Sequence, residues 1–374
     1  MKIYAFNPEH DLAMAHGGEN YTPPPLAVQL RHDLEMLPLW LDKLSLEEIL
    51  HAINTGIMPE GIKIFGDYTR IEGPAEYVPW GWDAYMRRRF LNAGANEKDL
   101  PSPEKLLQYR ELSHRKTSIA LLKELRDKGL LHDAISLPIE SSDIEEVLSF
   151  ARSHHDCFVK APWSGSGKGV YRGYFPDSLD FRNWCCGVIR KQGSIICEPC
   201  YYKTADFALA FYADESGVRF AGYSMFDTDK HSAFTSSVVL PRSGFEAILP
   251  DLQYLIDAYT QLLPKYIGDY KGYFGIDMLR CGDIVHPCVE LNLRTTMGVV
   301  AMRLGDRYLA QGSRGVFNVT YNKAPINVRE WVGEQAKRNP LKMSGGKIVS
   351  GFLSLVPVLP TARYSCSLLV SDYH

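Results

Sequence analysis

A chain of 374 residues that is 45% hydrophobic and 23% charged can fill two or three ordinary globular cores, which excludes a disordered or fibrous protein. Lys and Arg number 41 against 44 Asp and Glu, a net charge of -3, so no global basic field exists for nucleic acid to follow. No stretch approaches the roughly 18 uninterrupted apolar residues of a membrane helix, and eight scattered cysteines suit reduced thiols, so a soluble cytoplasmic protein is expected.

Pro8, Glu9, His10 and Asp11 interrupt the first apolar run too early for a signal peptide. Residues 2–6 and 61–65 are β-rich runs ending in turns, and residues 26–36 and 44–52 carry apolar side chains at helical spacing. Residues 1–105 are therefore expected to form a small α/β domain with parallel strands. Helices are predicted over 103–112 and 113–128, with Ser113 as a cap and Gly129 as a stop. From residue 156 onward short strands follow one another, at 157–160, 194–198, 206–212, 223–226, 273–279 and 285–293, with one helix over 251–263. This second part reads as α+β, divided into 106–193 and 194–340. The β-rich end, 341–374, carries no motif.

Two constellations carry chemistry. In the first, a strand ends on Lys160, and Ala161-Pro162-Trp163-Ser164-Gly165-Ser166-Gly167-Lys168-Gly169 follows. Three glycines at alternate positions leave backbone N–H groups open to a phosphate, with Lys160 and Lys168 supplying charge. The glycines alone favour a plain surface loop, and the lysine at the strand end brings the two readings level. The spacing is neither a P-loop nor a dinucleotide fingerprint, since Gly169 follows Lys168 and Val170 replaces the third glycine.

In the second, residues 274–278 and 288–294 flank a turn at Cys281-Gly282-Asp283. Alternation puts Glu290, Asn292 and Arg294 on one face of the second run, and a hairpin would return Asp277 to Glu290. Two carboxylates and an amide oxygen suit magnesium, which shares its sphere with nucleotide phosphates and water. A strand with one solvated polar face is the alternative, although asparagine is depleted in strands. Cys197 and Cys200 lack the second pair that a zinc site needs.

Taken together, these residues resemble the ATP-grasp superfamily over about 110–305. The resemblance implies an N-terminal parallel α/β domain followed by a two-subdomain ATP-grasp fold that closes on ATP with Mg2+ or Mn2+. It implies an ADP-forming carboxylate–amine ligase working on small molecules, or else a phosphotransferase on a hydroxyl, or a nucleotide-binding module without turnover. Lys160 would meet the phosphates under Ser164, Gly165, Ser166, Gly167, Lys168 and Gly169. Glu198, Pro199, Cys200 and Tyr201 would read the adenine edge, and Asp206 would hold the ribose. Lys230 would reach the γ-phosphate, Arg294 would serve the transferred phosphoryl group, and Asp277, Glu290 and Asn292 would hold the metal. Lys116 or Arg115 would supply a helix cation to the nucleotide. Where several ligases of this superfamily carry an arginine two residues before the first metal ligand, this sequence has Gly275, so either Arg294 or Arg280 supplies that charge or the acceptor chemistry differs. The acceptor is expected where Asn7, Glu9, His10 and Asp11 follow the first strand, although a capped turn explains them equally.

Overall fold

The N-terminal sheet has three parallel strands in the order β2-β1-β3, where β1 is Lys2–Ala5, β2 is Ile62–Ile64 and β3 is Glu76–Pro79. The computed structural model describes residues 1–154, 156–165, 169–228, 234–322 and 328–372. Parallel neighbours need long crossovers, and the helices Pro25–Asp33 and Leu46–Thr55 lie in the first of them. The second helix starts where it does because Ser45 and Glu48 form a capping box, and it stops at Gly56, whose φ is 73°. The single helix expected over 26–36 instead ends at Asp33, and the 3-10 turn Leu37–Leu41 with Pro38 inside it takes over.

One face of this sheet packs Ile3, Ala5 and Tyr77 against Met86 and Phe90 of the helix Ala84–Asn92. Phe6, Trp40 and Trp80 pack elsewhere, with Val300, Leu304 and Tyr308 of the helix Met297–Tyr308 and with Ile348, Cys366 and Leu368 near the C-terminus. Trp40 Nε1 donates to Leu355 O at 2.7 Å within that core. The two ends of the chain thus share one apolar interior.

A second sheet joins β4 (Ile139–Ser141), β5 (Cys157–Lys160), β6 (Val170–Arg172) and β7 (Ile195–Pro199) in the order β4-β7-β5-β6. Its core is Val147, Val159, Phe181, Cys185 and Ile195, supplied partly by the helices Ile144–His154 and Leu179–Gln192. The third sheet is antiparallel and has nine strands: β8 (Ala205–Asp214), β9 (Gly217–Thr228), β10 (Phe234–Val239), β11 (Gly272–Cys281), β12 (Ile284–Asn292), β13 (Ser313–Tyr321), β14 (Lys342–Ser344), β15 (Lys347–Ser354) and β16 (Tyr364–Asp372). Their order is β12-β11-β8-β9-β10-β13-β16-β15-β14, so the β-rich C-terminal run extends the sheet that begins at β8.

Phe207, Leu209, Phe211, Phe274 and Ile276 of the third sheet are covered by Leu255, Tyr259 and Leu263 of the helix Gln253–Ile267 and by Leu121, Leu122 and Leu125 of the helix Arg115–Asp127. The latter helix is capped by His114, whose Nδ1 accepts from Lys116 N, and not by Ser113. Ser113 Oγ is engaged in donating back to Tyr109 O at 2.8 Å at the end of the helix Pro103–Leu112. The parallel α/β sheet followed by two α+β units agrees with the fold class expected from the sequence. Among the described residues no helix is long and apolar enough to cross a membrane.

The helix Met297–Tyr308 lies so close to Leu240 that a Cβ added at Gly305 would sit 2.0 Å from its carbonyl oxygen. Gly305→Ala is therefore expected to cost about 1–3 kcal/mol of stability, as overpacking does. Gly333→Ala, in the helix Val328–Arg338 with no neighbour within 4 Å, is expected to gain about 0.5–1 kcal/mol. Urea unfolding midpoints of the two variants check the contrast.

Candidate functional site

A cleft of about 810 Å³ runs between the second and third sheets. Lys160 and the 198–201 stretch line one wall, while Asp206, Asp277, Glu290, Asn292 and Arg294 line the other. Gly165 and Arg115 line it as well. Residues predicted separately from three stretches of sequence thus meet in one cavity.

The wall from the third sheet rests on the β11–β12 hairpin. Gly282, with φ 61°, makes the turn between them, and the register sets Asp277 opposite Glu290 and Gly275 opposite Asn292. Leu291 N donates to Ser118 Oγ at 2.9 Å, which locks β12 to the helix Arg115–Asp127. Asn292 Nδ2 donates to Asp277 Oδ2 at 2.9 Å, and Arg115 Nη2 donates to Glu290 Oε2 at 2.8 Å. Burial pushes the Asp277 carboxyl up to about 7, and the Glu290 charge adds to the shift, while Arg294 and the Asn292 hydrogen bond oppose it. A cation beside this pair would relieve that cost. Two carboxylates and one amide are too few for an all-protein cage, but they fit a small hard cation that shares its sphere with phosphate oxygens.

Arg294 follows β12 and is fixed by a fork, with Nε donating to Asp11 Oδ1 and Nη2 to Asp11 Oδ2, each at 2.8 Å. Burial pulls the guanidinium pKa down, but Asp11, Glu290 and Asp277 more than offset it. Asp11 sits in the first turn of the helix His10–His16, at the carboxyl end of β1. The turn before it is tied by Asn7 Nδ2 to Gly81 O at 2.8 Å, and His10 Nδ1 lies 3.0 Å from Asp83 Oδ2. A tied turn and a site residue are therefore both present in this segment.

On the opposite wall Lys160 is ion-paired with Glu198, and both side chains are largely buried. Pro199, Cys200 and Tyr201 leave β7 along the cleft, and Tyr201 packs edge-on against His286 at 5.2 Å between ring centroids. Asp206, at the start of β8, is held by Lys203 and accepts from Thr228 Oγ1 at 3.3 Å. In the glycine loop, Ser164 Oγ accepts from Arg115 Nη1 at 2.7 Å, and Gly169, at φ 79°, returns its carbonyl to Ala161 N at 2.7 Å. Ser166, Gly167, Lys168 and Lys230 lie outside the described residues.

Lys116 does not line the cleft. Its ammonium is half exposed and lies 2.8 Å from Glu111 Oε2. Arg115, one residue earlier, is buried and reaches Ala161 O, Ser164 and Glu290. Helix phase decides between the two, because adjacent residues point about 100° apart. The sequence reading missed Lys203, which lines the cleft and has only position to mark it, and the buried His286, which lies behind Tyr201. Burial pushes the His286 imidazole down to about 4, and its Nδ1 has no hydrogen-bond partner.

No family model matches the chain, and no curated protein matches it in sequence. In structure it is similar to N5-carboxyaminoimidazole synthetase from Staphylococcus aureus complexed with ADP, at 11% identity and a TM-score of 0.52, over 99% of this chain and 93% of that one. It is also similar to N5-carboxyaminoimidazole ribonucleotide synthetase from Thermus thermophilus, at 14% identity and a TM-score of 0.50, over 100% and 94%. Biotin carboxylase from Campylobacter jejuni, as a beta-gamma-ATP complex, matches at 10% identity and a TM-score of 0.51, over 80% and 71%. These are ATP-grasp enzymes, and at such low identity the likeness establishes the fold.

Two outcomes follow from this geometry. Arg115→Ala strips partners from the partly buried Glu290 carboxylate and from the buried Ser164, and is expected to cost about 1–3 kcal/mol in chemical unfolding. His286 folds with its pKa below the unfolded value of about 6.5, so stability is lost as pH falls from about 6.5 toward 4. His286→Gln is expected to flatten that slope by about 1.4 kcal/mol per pH unit, read from unfolding free energies across the window.

Proposed function

We propose that the chain is an ADP-forming ligase that activates a small-molecule carboxylate with ATP and passes the acyl group to an amine. The observation that carries this reading is the meeting of Asp277, Glu290, Asn292 and Arg294 with Lys160 in one cleft beside the glycine loop. The similar structures crystallised as complexes with ADP and beta-gamma-ATP support reading the cleft as a nucleotide site.

In this reading Pro199, Cys200 and Tyr201 border the base, Asp206 meets the ribose, and Lys160 turns from Glu198 to the phosphates. Asp277, Glu290 and Asn292 hold magnesium or manganese, which supplies positive charge to the phosphate oxygens when bound. Phosphoryl transfer needs chiefly positioning and charge stabilisation, so the protein requires no nucleophile of its own. The substrate carboxylate attacks the γ-phosphorus and ADP leaves. The Arg294 guanidinium, aimed by Asp11, faces the oxygens that gain charge. The amine then adds to the acyl carbon, phosphate leaves, and the proton lost by nitrogen passes to solvent or to the departing phosphate.

The acceptor side would lie where the helix His10–His16 meets β12, a reading supported by the approach of His10 and Asp11 to Glu290 and Arg294. Residues 106–193 and 194–340 would form the nucleotide clamp, with 1–105 supplying the acceptor face and 341–374 extending the second half of the clamp. The free thiols suit a cytoplasmic setting, without nucleic acid as a partner.

Hydroxylamine traps acyl phosphates as hydroxamates. Incubation with Mg-ATP, a carboxylate library and hydroxylamine is expected to yield a hydroxamate together with ADP. A stable phosphoester would identify a hydroxyl phosphotransferase instead, and nucleotide binding without ADP release would leave a binding module. Glu290→Ala is expected to lower ATP turnover about 100-fold or more, consistent with losing several kcal/mol of metal-borne charge stabilisation.

A further inference from the structure

We propose that Asp11 is a positioning residue of this site: its carboxylate holds the Arg294 guanidinium away from Asp277 and Glu290 and forms the wall against which Gly165 packs. The inference rests on the reading that Asp277, Glu290 and Asn292 hold a divalent cation together with nucleotide.

Arg294 stands two residues beyond Asn292, and its N–H donates to Asn292 O at 2.8 Å, so its side chain leaves the chain immediately beside the acidic pair. A guanidinium is a planar fork that binds any nearby carboxylate bidentately. Three carboxylates lie around this one, because Arg294 lines one cavity with Asp277 and Glu290 and another with Asp11 and Glu290. Asp11 takes both forward N–H groups at 2.8 Å, and it can do so because it is delivered from 283 residues away by a helix whose entry is tied at Asn7 and His10. Without Asp11 the fork is left with Glu290 and Asp277 as partners, where it would compete with a metal ion for the same oxygens.

The second contact is steric. A Cβ placed on Gly165 would lie 1.8 Å from Asp11 Oδ2. Gly165 is not among the glycines with positive φ, so the requirement for glycine here comes from the close approach of the carboxylate. One side chain from the N-terminal unit thus touches both the glycine loop and the arginine that follows β12.

The test measures binding and does not depend on knowing the substrate. Free Mn2+ is followed by electron paramagnetic resonance during titration into the protein with saturating ADP. Asp11→Ala and the better-conserving Asp11→Asn are expected to weaken Mn2+ binding about tenfold or more, the range typical of partners that orient a metal site. Adding Arg294→Ala to Asp11→Ala is expected to restore Mn2+ affinity to that of Arg294→Ala alone, a rescue that a merely structural role would not produce. Gly165→Ala is expected to weaken ADP binding in the native background and to be tolerated alongside Asp11→Ala. If the native protein binds Mn2+ with ADP and both Asp11 variants bind it equally well, the positioning role is overturned while the metal site stands. Loss of affinity without rescue by Arg294→Ala overturns the role as well. If the native protein binds no Mn2+ with ADP, the ligase reading falls together with it.

Discussion

Two arginines, Arg115 buried and Arg294 largely so, decide where the polar end of β12 can be. A guanidinium taken out of water must have its charge matched and its N–H groups used, or the structure loses several kcal/mol. Arg115 has its charge matched by Glu290 and its two terminal nitrogens used by Ala161, Ser164 and Glu290, with Nε left unpartnered, and Arg294 is matched by Asp11. The first set joins a helix, the glycine loop and the acidic hairpin, and the second joins the hairpin to the N-terminal unit. Each bond is local, yet between them they bring three distant stretches of the chain to one place.

Apolar packing makes that arrangement hold. The core under the third sheet includes Met14, Leu106 and Trp163 alongside Phe207 and Phe274, so the helix carrying Asp11, the helix before Arg115 and the glycine loop are anchored in the same interior. The other large cluster ties Trp40 and Trp80 to the helix Met297–Tyr308 and to the C-terminal strands. Thr295 N donates to Trp80 O at 2.9 Å, so the residue after Arg294 is hydrogen-bonded to the end of β3. Movement of the N-terminal unit against the cleft would disturb both cores and the arginine fork at once.

Much of the site was legible in the sequence. The strand Cys157–Lys160 is delimited to the residue, because a short β-rich run before Pro162 leaves little choice. The hairpin that sets Asp277 opposite Glu290 was also legible, since the turn residues Gly282 and Asp283 fix a short loop and period two does the rest. Boundaries set by side-chain caps were less so: Ser113 and His114 are both plausible caps, and the choice depended on which side chain the preceding helix had already engaged. The C-terminal strands showed their type but not their place, because strand order in a large antiparallel sheet is decided by which faces bury each other.

The alternation of Glu290, Asn292 and Arg294, the glycines after Lys160 and the parallel strand pattern of the first hundred residues are all local properties, set by backbone geometry and side-chain period. These determined the element types and the chemistry on offer. The ion pairs Lys160–Glu198, Arg115–Glu290 and Arg294–Asp11 have no local signal. Charged residues are common on any surface, and only the closing of the cores, which excludes water from these particular ones, forced each to find a partner. That is why the sequence could point to an acidic, cation-ready strand, and only the tertiary structure could show that it is Arg115 rather than Lys116 that reaches it, and Asp11 that restrains Arg294.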